Sequence, residues 1–267
     1  MNVFVLKIIA LSSMIIDHMG AALPQYFGFE FRIIGRLAFP IFVFLIAEGF
    51  RHTGSPERFL VRLGVFAILS EPFFDLAVWT DWSRLEQGNI LYFAMENINF
   101  FYNTNIFYTL YLGGCAIFSY KKLLALPIVN QPRRSNSKKA IKPYFLAPVY
   151  CLSIICTMAA AQLLSSDYGA YGVFFIFIMY AIKPFMLRLI VMIPLCLWQH
   201  NHIISMLFTG QNVHQSLIML VLATLIPIPL IAFYNGKRGP NVKWFFYAAY
   251  PLHIAIIVGV LFQIHLT

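Results

Sequence analysis

The chain has 267 residues, 60% hydrophobic and 11% charged, and its mean hydropathy of +0.76 lies well above that of a soluble domain. Lysine and arginine outnumber acids by 19 to 10, a net charge of +9, but the basic residues gather in particular loops, which reads as membrane topology and excludes a nucleic-acid surface. Runs such as IFVFLIA and SLIMLVLATLIPIPLIAF do not alternate, so a transmembrane β-barrel is excluded and an all-α, polytopic transmembrane helical bundle in a lipid bilayer is expected.

The first apolar run, Val3 to Leu23, is interrupted by Asp17 and His18 and lacks a small-residue cleavage site, so it is read as a retained helix and not as a signal peptide. Phe31 to Phe50, Phe59 to Trp79 and Thr104 to Tyr120 follow. A basic, low-complexity loop then occupies about 121–143, with Arg133, Arg134, Lys138, Lys139 and Lys142. Beyond it lie Tyr144 to Ser165, Tyr171 to Ile182, Leu189 to Trp198, Gln215 to Phe233 and Trp244 to His265. Together these make about nine spans, with a range of roughly eight to ten, because the pieces around 171–198 are short for a crossing. No linker divides the chain, which is read as a single domain over 1–267. Counting lysine and arginine places the N-terminus in the cytoplasm, with acids such as Glu30, Asp81, Glu86, Glu96 and Asp167 on the opposite face.

An ionisable side chain at membrane depth costs about 2.5–3.5 kcal/mol on insertion scales, so each needs a reason. Asp17 and His18 lie in the first span, Arg36 and Glu48 in the second, Glu71 and Asp75 in or near the third. Adjacent helical residues point about 100° apart, so Asp17 and His18 cannot face one cavity together. One is expected to face it while the other braces a neighbouring helix. An aspartate beside an arginine is a poor base at neutral pH, whereas imidazole accepts and returns a proton there. His18 is therefore assigned the base and Asp17 its support.

Later in the chain, Asp167 to Gly172 (DYGAYG) forms a polar turn with Tyr168 and Tyr171, and Tyr234 to Gly239 (YNGKRG) a short basic loop. In the latter, glycines would let the backbone approach an anion that Lys237 and Arg238 neutralise. Tyr250-Pro251-Leu252-His253 adds a helix-breaking residue and a second histidine to the last span. Neither a GxSxG elbow, an HExxH, a Walker sequence nor a Cys/His array occurs, and Cys115, Cys151, Cys156 and Cys196 fall in apolar runs, so no metal is expected.

Five blocks, in order, resemble the TraX family, known from the acetylase of conjugative F-type pilin: LKIIALSSMIIDHMG (Leu6 to Gly20), RIIGRLAFPIFVFLIAEGFRHT (Arg32 to Thr53), LSEPFFDLA (Leu69 to Ala77), SDYGAYGV (Ser166 to Val173) and YNGKRGPNVKWFFYAAYPLHI (Tyr234 to Ile254). The resemblance implies a multi-pass protein of the bacterial inner membrane, similar also to broader membrane acyltransferases. It implies that an acetyl group moves from cytoplasmic acetyl-CoA to an amine or hydroxyl, on a peptide such as a pilin N-terminus or on a saccharide. Under that reading His18 is the base, Arg36 stabilises the oxyanion and Asp17 supports them. Arg51, Lys237 and Arg238, with Glu48 beside them, would hold the CoA phosphates, and Asp75, Asp167, Tyr168 and His253 would surround the acceptor. The rival expectation is a proton-coupled secondary transporter whose buried charges form a relay.

Overall fold

The structure, a computed structural model, describes residues 1–85, 90–125, 147–211, 213–240 and 242–266. Among them there is no strand. Glu86 and the basic cluster from Arg133 to Lys142 lie outside the described residues.

Helix α1 (Val3–Ala22) starts on Asn2, whose side chain accepts the Val5 N–H at 3.0 Å. The Val3 and Phe4 N–H groups donate to the carbonyls of Lys237 and Arg238, at 2.9 and 3.2 Å, and Asn235 N–H donates to the Met1 carbonyl at 2.8 Å. A helix start has free donors, which are costly away from water; here the basic loop satisfies them and is thereby pinned to the N-terminus. Gly239 makes the close approach with φ +74°, and a Cβ there would lie 2.9 Å from the Phe4 Cβ.

Two short pieces, α2 (Phe29–Gly35) and α3 (Ala38–His52), form one apolar stretch interrupted around Arg36 and Leu37. Pro40 has no N–H to give the Arg36 carbonyl, a sequence reason for the interruption. Helix α4 (Pro56–Phe74) begins on a proline and contains Pro72, after which Asp75–Trp79 widens into a π-helical turn. Trp82 Nε1 donates to the Leu76 carbonyl at 2.9 Å and Thr80 Oγ1 to that of Asp75 at 3.0 Å, satisfying groups near the distortion.

The rest of the bundle comprises α5 (Ile90–Asn97), α6 (Ile106–Leu124), α7 (Ala147–Leu163), α8 (Gly169–Ala181), α9 (Phe185–Trp198), α10 (Asn201–Phe208), α11 (Gln215–Ala223), α12 (Pro227–Ala232) and α13 (Lys243–Leu266). Pro251 sits inside α13, which continues through it. Helix α6 packs against α4, α7 and α8, while α1 packs against α2, α3 and α13. Phe39, Phe44, Phe50, Phe175, Met179 and Tyr250 fill the interior, and large apolar side chains such as Ile68, Leu152, Ile190 and Ile256 point outward. That inversion of the soluble pattern is what lipid contact requires. The protein is thus an all-helical, multi-pass membrane protein.

Four described stretches are long and apolar enough to cross a bilayer: α1, α2 with α3, α11 with α12, and α13. The pair α9 and α10, bent by 75°, supplies a fifth if it is one broken span. The expected nine would further require α4, α6, α7 and α8, which are shorter or more polar, to cross as well.

Contacts define two ends of the bundle. At the N-terminal end Arg238 Nη2 donates to the His52 carbonyl at 3.0 Å, Lys121 Nζ to that of Phe50 at 3.0 Å, and Lys122 pairs with Glu57 at 3.1 Å. At the far end the 164–167 turn is tied to the start of α6, where Asp167 N–H donates to the Thr104 carbonyl at 2.9 Å and the Thr109 hydroxyl to that of Asp167.

Candidate functional site

Asp17 and His18 do diverge, as adjacent positions on α1 must. Asp17 faces α2, where Arg32 Nη1 lies 2.7 Å from Oδ2 and Arg36 Nη2 lies 3.2 Å from Oδ1. Arg36 Nε also donates to the Arg32 carbonyl at 3.2 Å, fixing the second guanidinium. Two cations on one carboxylate tie α1 to α2. Gly35 makes that possible: a Cβ at this position would sit 2.0 Å from Asp17 Oδ1. Gly35→Ala is therefore expected to push Asp17 off both arginines, at a cost of about 1–3 kcal/mol, less than for a fully buried pair because all three side chains keep part of their surface exposed. Thermal unfolding in detergent checks this, and the variant should lose as much stability as Asp17→Ala.

His18 faces α13. Its Nδ1 is 2.8 Å from His253 Nε2, the ring planes differ by 6°, and both residues are buried. His253 Nδ1 lies 2.8 Å from the Ala249 carbonyl. A carbonyl only accepts, so His253 Nδ1 carries its proton; with both rings neutral, His253 Nε2 then accepts and His18 Nδ1 donates. That order leaves the lone pair on His18 Nε2. This atom has no hydrogen bond among the described residues, and the residue is 7% exposed. The edges of Phe74 and Tyr250 complete the surroundings of the ring, with centroids 6.1 and 5.8 Å away.

At the N-terminal end is a cavity of about 600 Å³. Lys7, His52, Arg58, Arg62 and Arg238 stand around it with Gly236 and Gly239, and its apolar wall includes Phe42, Leu45, Ile46, Leu63, Phe107 and Leu110. The Phe107 ring is 4.7 Å from that of Tyr250, so one aromatic layer separates this wall from the histidine pair.

Two residues expected to hold a phosphate donor are placed differently. Arg51 is outside the lining of this cavity; its Nη2 donates to the carbonyls of Met179, Tyr180 and Ile182, at 3.1, 2.6 and 2.6 Å. It therefore caps the end of α8, where orphan carbonyls attract a cation. Lys237 contributes its backbone to the N-terminus and is also absent from the lining. Arg238 does line the cavity, as does Glu48. Glu48 is charge-paired with buried Arg188, and with Arg51 at 3.4 Å.

A second hollow, of about 410 Å³, lies at the far end between Arg36, Asp167, Tyr168, Tyr171, Trp198 and Gln199. Tyr168 takes a left-handed conformation, φ 67°, and stacks on Phe39 with ring centroids 3.5 Å apart. Asp167, Tyr168 and Arg36 are thus brought together, whereas His253 is not with them but on His18. Asp75 is buried in the π-helical turn, its Oδ2 accepting the Asn99 N–H at 2.6 Å, and lines neither space. Arg36, expected to stabilise an oxyanion beside His18, is directed to Asp17 and this outer hollow.

Sequence reasoning missed Arg32, Lys7, Arg58, Arg62 and Tyr250. For Arg32 a signal existed, because it lies four residues before Arg36 and so shares its helical face. The cavity-lining cations carry no comparable signature, since the positive-inside rule accounts for them equally well.

A probable fimbrial assembly protein FimC, serogroup H1, from Dichelobacter nodosus is 24% identical over 96% of this chain and 94% of its own length. No solved structure matches the chain. A family profile described as TraX protein matches residues 3–261, which include the Asp17 cluster, the histidine pair and the basic loop at one stroke. By that near-complete match, the chain belongs to the TraX family.

Proposed function

We propose that this protein is an acyltransferase of the bacterial inner membrane that takes an acyl group, acetyl in the first instance, from acyl-CoA on the cytoplasmic side and passes it to an amine or hydroxyl acceptor. The observation that carries the reading is the His18–His253 pair, in which a backbone carbonyl sets the tautomer and leaves one basic nitrogen free. An acceptor N–H or O–H attacking a thioester must lose its proton, and a neutral imidazole of fixed orientation removes it. The basic cavity supports the donor's identity, because acyl-CoA combines several phosphate charges with a long, largely uncharged arm. Basic residues at the N-terminal end support the cytoplasmic placement of that end. The family and the FimC relative support a pilin-like peptide as one acceptor.

The test is to incubate the purified protein with radiolabelled acetyl-CoA and a panel of peptide amines and sugar hydroxyls. Transfer to any acceptor is the expected result; no binding or consumption of CoA thioesters under any condition sinks the proposal. Within it, Arg62→Ala combined with Arg238→Ala is expected to raise the KM for acetyl-CoA about tenfold or more, as loss of charge-assisted phosphate contacts should. The KM for a short acyl thioester without phosphates should barely change. Equal loss with both donors would show that the arginines do not act on phosphate.

A further inference from the structure

The proposed reaction has a base but, with Arg36 turned away, lacks the donor that stabilises the oxyanion of the tetrahedral intermediate. Tyr250 lies beside the histidine pair. It is 1% exposed and its hydroxyl is sealed from solvent; the Ile106 N–H is directed at the phenol oxygen, while the hydroxyl proton has no acceptor among the described residues. A hydroxyl left so is unusual, because burying a donor without an acceptor is costly. Tyr250 also stands between the histidine pair and the basic cavity: its ring packs edge-on against His18 at 5.8 Å and His253 at 5.5 Å, and against Phe107 of the cavity wall at 4.7 Å. It lies three residues before His253 on α13, so the helix that orients the base also carries the hydroxyl.

We propose that Tyr250 is the oxyanion donor of the acyl-transfer step, its hydroxyl proton kept free for the substrate; this rests on the acyltransferase reading. The acceptor nitrogen or oxygen forms a bond to the thioester carbonyl carbon while His18 Nε2 takes its proton. The carbonyl electron pair moves onto oxygen, which accepts a hydrogen bond from Tyr250 Oη–H. When the intermediate collapses, the C–S bond breaks and the CoA thiolate leaves with the proton returned by His18. Tyrosine keeps its own proton throughout, and no further reactant is needed.

The experiment compares wild type, Tyr250→Phe and His18→Ala in acetyl transfer, together with CoA binding and thermal unfolding. Tyr250→Phe is expected to lower kcat by about 10²–10³-fold, as loss of one oxyanion donor does, with CoA affinity unchanged. Its midpoint of unfolding should stay close to that of wild type, because the hydroxyl proton has no native acceptor and only the contact from the Ile106 N–H is lost. Incorporation of fluorinated tyrosines at this position should change kcat in step with the phenol's acidity, which packing alone would not produce. Full kcat in Tyr250→Phe with activity lost in His18→Ala overturns the role of Tyr250 and leaves the acyltransferase standing. An inactive wild type overturns both.

Discussion

Replacing His18 by alanine is expected to lower acyl transfer by about 10²–10⁴-fold, the range attributed to a positioned general base, while CoA binding and the fold persist. The geometry gives this prediction its detail. His18 Nδ1 is committed to His253, so only Nε2 can act. His253→Phe keeps an aromatic ring in the buried space but removes the acceptor that selects the tautomer. Its kcat should fall less than that of His18→Ala, since the base remains although its orientation is no longer fixed. The measurement is kcat under saturating acetyl-CoA for both variants. A folded His18→Ala with full activity would remove His18 from the mechanism, and a His253 variant with wild-type kcat would remove the pair.

Much of this arrangement was legible in the sequence, and what was not had definite causes. Apolar runs revealed the helical membrane architecture because lipid admits few alternatives. Helix geometry predicted that Asp17 and His18 would part, and a partnership between Asp17 and the second stretch followed from the cost of a lone charge. The partner of His18 did not follow: His253 is 235 positions away, and nothing in local spacing says that α13 returns beside α1. The same limit hid where Arg51 lies. As a basic residue at a helix end it looked available to phosphate, yet its guanidinium is spent on two carbonyls of α8 and that of Ile182 just beyond it, a contact decided only by the packing of α3 on α8. Glu48 was read as a neighbour of the donor and does line the cavity, but its closest partner, Arg188, lies on a helix 140 residues later.

Glu48 therefore carries the largest stability prediction. Its carboxylate and Arg188 are 6% and 7% exposed, and each is the other's principal counter-charge. Glu48→Ala leaves Arg188 buried without it and is expected to cost about 3–5 kcal/mol, a drop in unfolding midpoint of roughly 10 °C for a chain of this size. Replacing both residues by leucine removes the two desolvation penalties along with the attraction, so the double variant should recover most of the loss. Arg51 remains anchored by the α8 carbonyls in either case. The double variant also separates structure from donor binding. Removing one acid and one base leaves the net charge of the region unchanged, so a Glu48 that only neutralises Arg188 predicts an unaltered KM for acetyl-CoA. A stable double variant with a raised KM would instead place Glu48 against the donor, as its position in the cavity wall allows.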